Sequence, residues 1–530
     1  MADYIFGANI LENLTTGMYQ DSKVIFREYI QNACDQIDKA IKAGLLTPEE
    51  GTIDINLDFE GRDIVIKDNA TGIPAADFQR VLGNIADSDK TIGEDKGFRG
   101  IGRLCGLAYC KKLVFMSSAK GEDVVSIMTC DAAKMRKLID ENARGMKHTA
   151  NDVLHAINSF DQKKVEEIDH TVDSHFFTVW MYAVNDENKA LLDFQQVKDY
   201  LSFVAPVPYQ SSFFYRNEIY KHARQLGTRI DEYNIRLNGE PIYKKYTTIL
   251  KNKQDNKLDD IFEVHFKDFK NANEELLAWM WVGLTKFQNA IPKINQMRGL
   301  RLRKENIQIG DEDALQKLFK EDRGNSYFVG EVFAIDKNLI PNSQRDYFNE
   351  NPARSEFDRE LRKYFNEELY KIYHSGSEIN SATKKIESYE KREAEFNAKK
   401  SAGDFVDDEH REREMKSVLQ AKQEAENAKV KIERLKNNIS EDDVLHKVIL
   451  RVEVDRSKPI TSATTSVNDS YAPKENVGVR RTDRLSQYSK NERKLISKIF
   501  SIITTATDSN TAEIIINKIE EGLGGKQRGR

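Results

Sequence analysis

Three short stretches carry side chains able to do chemistry together. The first is Phe26-Arg27-Glu28-Tyr29-Ile30-Gln31-Asn32-Ala33-Cys34-Asp35-Gln36-Ile37. Glu28, Asn32 and Asp35 stand at i, i+4 and i+7, so a helix presents them on one face. A carboxylate there can act as a base, and an amide oxygen one turn on can ligate a hard cation. The second is Asp68-Asn69-Ala70-Thr71-Gly72-Ile73. A carboxylate at a strand end that accepts from an exocyclic amine selects adenine over guanine, which offers a carbonyl there. Gly72 lets the backbone approach such a ligand closely. The third is Gly97-Phe98-Arg99-Gly100-Ile101-Gly102-Arg103-Leu104, running into a small-residue helix through Cys110. Backbone N–H groups exposed at such a helix start form an anion site. Each stretch alone has a plain alternative: a solvated helix face, a surface turn, a glycine loop.

The surrounding pattern predicts the elements that would hold them. Ile5–Leu14 and Ser22–Lys42 read as helices, with Ser22 an N-cap and Gly44 a stop. Phe26, Ile30, Ala33 and Ile37 give the second helix an apolar face. Thr52–Phe59 alternates Ile53, Ile55, Leu57 and Phe59, a half-buried strand. Glu60-Gly61-Arg62 turns it, and Asp63–Lys67 returns. A helix on an antiparallel hairpin is an α+β beginning. Residues 75–96, with Ser88, Lys90, Gly93 and Lys96, read as a mobile polar loop.

Composition bounds the rest. The 530 residues are 32% charged with a net charge of −5, which suggests two to four domains and excludes a general polyanion binder. Cys34, Cys105, Cys110 and Cys130 form no CxxC pair, so free thiols are expected, without disulfides or zinc. The N-terminus lacks a signal-peptide pattern and no stretch approaches eighteen apolar residues. A soluble, cytoplasmic protein is the expectation.

The order Glu-x-x-x-Asn-x-x-Asp, Asp-Asn-x-x-Gly, G-x-x-G-x-G resembles the GHKL ATPase superfamily of gyrase, heat-shock chaperones, histidine kinases and MutL. Tyr19–Lys39, with Phe26-Arg27-Glu28 and Asn32-Ala33-Cys34-Asp35, is most similar to the ninety-kilodalton heat-shock chaperones; Gly97-Phe98-Arg99-Gly100 is similar to MutL, and Ser88-Asp89-Lys90 to MORC proteins. The resemblance implies a Bergerat-type ATPase sandwich over residues 1–200, with ATP and Mg²⁺ as ligands. Glu28 would polarise the attacking water and Asn32 would ligate Mg²⁺; the role of Asp35 stays open. Asp68 would read the adenine amine beside Gly72, and Thr178, on the strand Phe176–Val184, would support Asp68 or serve only as a strand residue. Lys90, Gly97, Gly100, Ile101 and Gly102 would surround the phosphates. Ala70 replaces a glycine usual after Asp-Asn, with minor crowding expected.

Residues 201–375 read as a transducer-like α/β domain with strands at Asn234–Leu237, Phe262–Phe269 and Leu277–Leu284. By the same resemblance, Lys293 or Arg298 would reach the γ-phosphate; both also suit a charged strand edge. The polar cluster Asn342–Phe348, with Arg345-Asp346, has no assigned role. Residues 376–442 keep a heptad rhythm through Val418, Ala421, Ala425, Ala428, Ile432, Leu435 and Ile439, which predicts a coiled-coil hairpin with its tip near Ser401–Asp408. Val448–Val454 reads as a returning strand, Ser457–Lys490 as a linker, and residues 491–530 as a small helical C-terminus. The resemblance implies a Mg²⁺-dependent ATPase clamp, homodimeric, acting on a protein client as a chaperone. The alternatives are a nucleic-acid clamp of MutL or MORC type and a non-catalytic nucleotide-ordered scaffold.

Overall fold

The computed structural model describes residues 5–15, 17, 21–85, 96, 100–168, 170–403, 405–437, 440 and 443–457, with eight helical positions between 496 and 519. The chain forms two compact units, Met1–Lys458 and Pro459–Arg530. The linker and the C-terminal helices expected from sequence lie almost wholly outside the described residues, as do Lys90 and Gly97.

The first part of the larger unit is α+β. Helices α1 (Asn9–Thr15) and α2 (Val24–Lys42) precede the hairpin β1 (Thr52–Asp58) and β2 (Asp63–Asp68). Then come α3 (Ala75–Gly83), β3 (Cys110–Ser118), β4 (Val124–Asp131), α4 (Ala132–Ala143), α5 (Ala150–Ile157), β5 (Asn158–Lys164), β6 (Phe176–Val184), α6 (Phe194–Val204) and α7 (Arg216–Gln225). Strands β7 (Asn234–Leu237) and β8 (Glu240–Pro241) complete an eight-stranded sheet of order β5-β4-β3-β6-β2-β1-β7-β8. Every pairing is antiparallel except β1 with β7. Asn234–Leu237 therefore adds to the first sheet, although its place in sequence suggests the second. The core lies between this sheet and α2, whose Ile25, Phe26, Tyr29, Ile30, Ala33 and Ile37 are all buried. Burial of that stripe, more than helix propensity, holds α2 in place.

A small hairpin, β9 (Ile249–Lys251) and β10 (Lys257–Asp260), leads to the second sheet. Its strands are β11 (Glu263–Lys270), β12 (Leu276–Leu284), β13 (Gly299–Lys304), β14 (Ile307–Ile309) and β15 (Val329–Ala334), in the order β11-β12-β15-β13-β14. Strand β12 is apolar at every position because both its faces are covered. Ala278, Met280 and Val282 face one core; Trp279 and Trp281 face another. Helices α8 (Pro352–Tyr364), α9 (Tyr370–Ala402), α10 (Asp408–Asn437) and α11 (Val444–Ser457) follow.

Four sequence expectations need correction. Residues 75–83 form α3, not a loop: Phe78 and Leu82, one turn apart, are buried against the first core. Ser22 does not cap α2; helix α2 starts at Val24 without a side-chain cap. The glycine stretch leads into a 3₁₀ turn, Gly102–Ala108, and the chain is already a strand at Cys110. Val448–Val454 lies in α11, where Leu445, Ile449 and Val452 pack on Ile379 of α9. Its branched residues Val448, Ile449, Val452 and Val454 suit a strand, but the buried set follows the helical spacing.

Candidate functional site

A cavity of about 330 Å³ opens between α2, the end of β2, α3, β6 and the glycine segment. It is lined by Glu28, Asn32, Asp68, Gly72, Gly100, Ile101 and Gly102, so residues from three separated stretches meet in one place. Asp68 sits there because Ile64, Ile66 and Asp68 alternate onto the covered face of β2. Its Oδ1 accepts from the Ala70 amide at 3.0 Å. Burial pushes the carboxyl up to about 7, against hydrogen bonds from the Ala70 and Phe177 backbone and the charge of Lys67. The Ala70 methyl packs, fully buried, in the core.

One glycine of the site is required by backbone geometry and a second gives Glu28 its room. Gly72 has φ +67° and a Cβ on it would meet the Ser118 carbonyl oxygen at 2.0 Å. A Cβ on Gly102 would meet Glu28 Oε2 at 2.5 Å. Only a residue without a side chain leaves Glu28 its position. Tyr29 ties the two stretches together: its hydroxyl donates to the Arg103 carbonyl and accepts from the Gly106 amide, each at 3.0 Å.

Thr178 does not take part as expected. Phe177 and Val179 line the cavity, and Thr178 between them points to the opposite face of the sheet, paired with Lys67 rather than Asp68. Lys293 and Arg298 do not line the cavity either; they line a separate groove. What reaches the cavity from this part of the chain is instead Arg345, in the loop after β15 and from the polar cluster Asn342–Phe348, together with Ser343. Arg345 is buried, and its Nε lies 3.5 Å from Glu28 Oε1. Arg27 approaches the same oxygen at 3.6 Å. Neither contact is a hydrogen bond, so Oε1 remains a buried acceptor without a donor. Asp35 accepts from the Lys96 amide at 2.8 Å, and the Lys96 carbonyl accepts from Arg345 Nη2 at 2.8 Å. The Lys96 ammonium binds Asp38 at 2.7 Å; despite burial, Asp231 and Asp38 raise its pKa.

Gln31 was not singled out by its type or spacing. It is 1% exposed, lines the cavity, and neither atom of its amide has a hydrogen-bond partner. Glu28 and Asn32 line the same cavity, so three oxygen-bearing side chains of α2 border it, of the type that binds a hard cation. Among the described residues no group of three or more His, Cys, Asp or Glu side chains could hold a metal by itself.

Residues 22–166 match the model of the histidine kinase-, DNA gyrase B- and HSP90-like ATPases. This segment is a GHKL ATPase domain. A stretch of 104 residues is 31% identical to the chaperone protein HtpG of Rhizobium etli. That match covers 18% of this chain and 16% of HtpG, so the chain spans about a sixth of that relative's length. The GHKL domain supplies Glu28, Asn32, Asp68, Gly72 and Gly100–Gly102, while Arg345 comes from beyond it. All four cysteines are free and buried, and no described helix is long and apolar enough to cross a membrane.

Proposed function

We propose that the protein is a Mg²⁺-dependent ATPase working as a nucleotide-gated clamp of chaperone type. The observation that carries this is the meeting of Glu28 and Arg345 in a cavity that also holds Asp68 and Asn32. Asp68, at the end of β2, receives the adenine amine, and Gly72 leaves room for the base. Amides of Gly100, Ile101 and Gly102 face the phosphates. Glu28 orients a water and accepts its proton as the water oxygen bonds to the γ-phosphorus and the bridging P–O bond breaks. Arg345 meets the charge that builds on the γ-phosphoryl oxygens. Mg²⁺, when bound with ATP beside Asn32, neutralises phosphate charge. A pure nucleotide binder needs no base at Glu28, which favours the catalytic reading over the scaffold.

The chaperone assignment rests on the similarity to HtpG, and a dimer accords with it. The site assignment is tested by hydrolysis and binding measured side by side. Wild type is expected to turn over ATP with Mg²⁺, Glu28→Ala to bind without turnover, and Asp68→Asn to lose binding. Absence of ATP binding by wild type would sink the proposal. Suppression of client aggregation in an ATP-dependent manner tests the output; salt-sensitive DNA binding without it would point to a nucleic-acid clamp instead.

A further inference from the structure

A groove of about 640 Å³ lies beside the nucleotide cavity, between the start of α2, α6, residues 293–301 and the loop at 344–346. Arg345 lines both spaces, and Arg27, which lines the groove, approaches Glu28 Oε1, which belongs to the cavity. One layer of side chains therefore separates them. Arg27 Nη2 donates to the Gln344 carbonyl at 3.0 Å and Arg345 Nη2 to the Lys96 carbonyl at 2.8 Å, but the contacts of both with Glu28, at 3.6 and 3.5 Å, are not hydrogen bonds, and Arg27 Nε and Glu28 Oε1 are unpartnered.

The groove also contains three cations, Arg301, Arg298 and Lys293, with no carboxylate at ion-pair distance among the described residues, although Glu312 in the same groove acts on Arg301 from farther off. Arg301 is 4% exposed, stacked over Phe203 at 4.3 Å. It donates only to neutral oxygens, Gln308 Oε1 and the Gln296 carbonyl, and its Nε has no partner. A buried guanidinium left with neutral acceptors is costly unless an anion completes it. Lys293, exposed, and Arg298, half-buried, line the same groove, and among the described residues neither has a carboxylate at ion-pair distance. Of the five carboxylates lining it, four are engaged. Asp21 meets Lys23 at 3.6 Å, Asp199 accepts from Gln296 and Lys245 at 2.9 Å, Asp311 accepts from the Asp313 amide at 2.9 Å, and Asp346 accepts from Asn342. Glu312 is the fifth.

We propose that this groove is an anion site that takes inorganic phosphate, bound by Arg301, Arg298 and Lys293, and that it receives the phosphate released in the adjoining cavity. The source of the phosphate rests on the ATPase reading; the binding site does not. Phosphate would leave past Arg345 and Arg27, away from the side where the base is held at Asp68. The strong guanidinium–phosphate hydrogen bonds available at Arg298 and Arg301 set the selectivity for a dianion over chloride.

The test uses the full chain with its nucleotide cavity saturated by a non-hydrolysable ATP analogue. Radiolabelled inorganic phosphate should then bind at one site per chain. The paired substitution Lys293→Ala and Arg298→Ala should weaken it about tenfold or more while the fold is kept. Arg301→Lys should weaken it further, through loss of planar donors. In single turnover, phosphate should appear after bond cleavage, with a delay that the Lys293→Ala/Arg298→Ala variant shortens. Displacement of phosphate by the analogue would overturn the proposal, because the ion would then sit in the nucleotide cavity. So would binding indifferent to the double variant, and an unchanged delay would overturn the product-phosphate source. If the protein fails to bind ATP, phosphate binding measured without nucleotide still decides the groove, so the two failures are distinct.

Discussion

At the residue scale, the decisive pair is Glu28 and Arg345. Glu28 is legible from its spacing to Asn32 and Asp35, because one helix carries all three. Arg345 is not: it lies 317 residues away in sequence, in a loop whose polar composition says nothing about what it faces. It was missed in favour of Lys293 and Arg298, which look like phosphate ligands by charge but line the neighbouring groove. Replacing Arg345 with Ala should lower kcat by about 10²–10³-fold, the usual cost of one donor to a developing oxyanion, with ATP binding largely kept. Equal losses of affinity and kcat would show that Arg345 holds the fold of the loop instead. Asp68 gives a second prediction. Its folded-state pKa is raised to about 7, so between the ordinary carboxylate range and 7 the folded protein holds a proton that the unfolded chain has lost. That contribution to stability is present at low pH and disappears as pH rises through 7. An amine donor, by contrast, prefers the ionised acceptor. Adenosine affinity should therefore rise from pH 6 to pH 8 and level off above, as followed by calorimetry; a flat profile would remove Asp68 from the base pocket.

At the element scale, the second sheet is held by a buried ionic cluster that no motif announces. Arg303 on β13, Glu331 on β15 and Lys244 before β9 are all fully buried. Arg303 Nε donates to Glu331 at 2.6 Å, Lys244 donates to Asn306 at 2.6 Å and to Glu331 at 3.2 Å, and the Tyr209 hydroxyl also donates to Glu331. Burial would raise the Glu331 pKa, but Arg303 and Lys244 overcome it and hold the carboxyl below its usual range. Glu331→Gln leaves two cations in the core and should cost about 3–5 kcal/mol in denaturant unfolding, whereas a surface change such as Glu240→Gln should cost almost nothing. A small loss for Glu331→Gln would mean that water reaches the cluster. Strand β12 beside it could be read from sequence because it is apolar throughout. The pairing of β7 with β1 could not, since four residues carry no information about which sheet they join. Nor could α11, whose valines fit both periods until Ile379 shows which face is covered.

At the scale of the whole molecule, the long hairpin sets a boundary between core and arm. Helices α9 and α10 run antiparallel, with Glu378 facing Lys431, Lys385 facing Glu424 and Lys399 facing Glu414. Gly403, with φ +67°, ends α9 just before the turn. Near the base, Ala382, Ile386, Ala425 and Ala428 form a small core with Tyr389 and Ile432. Farther out the chain changes character: Met415 and Leu419 are half exposed and Val406 is 88% exposed, while charged side chains bridge the helices. Surface ion pairs of this kind contribute little to stability. The distal half thus cannot be there to stabilise the fold. A chain in which residues 392–417 are replaced by a short Gly-Ser turn should keep its melting temperature within a few degrees, because no core residue is removed. It should also keep basal ATP hydrolysis, because the cavity at Glu28 draws nothing from α9 or α10. What it should lose is any ATP-dependent effect on a protein client or nucleic acid. If basal hydrolysis falls instead, the hairpin must feed back on Arg345 through the second sheet, and the arm is part of the ATPase cycle rather than its output.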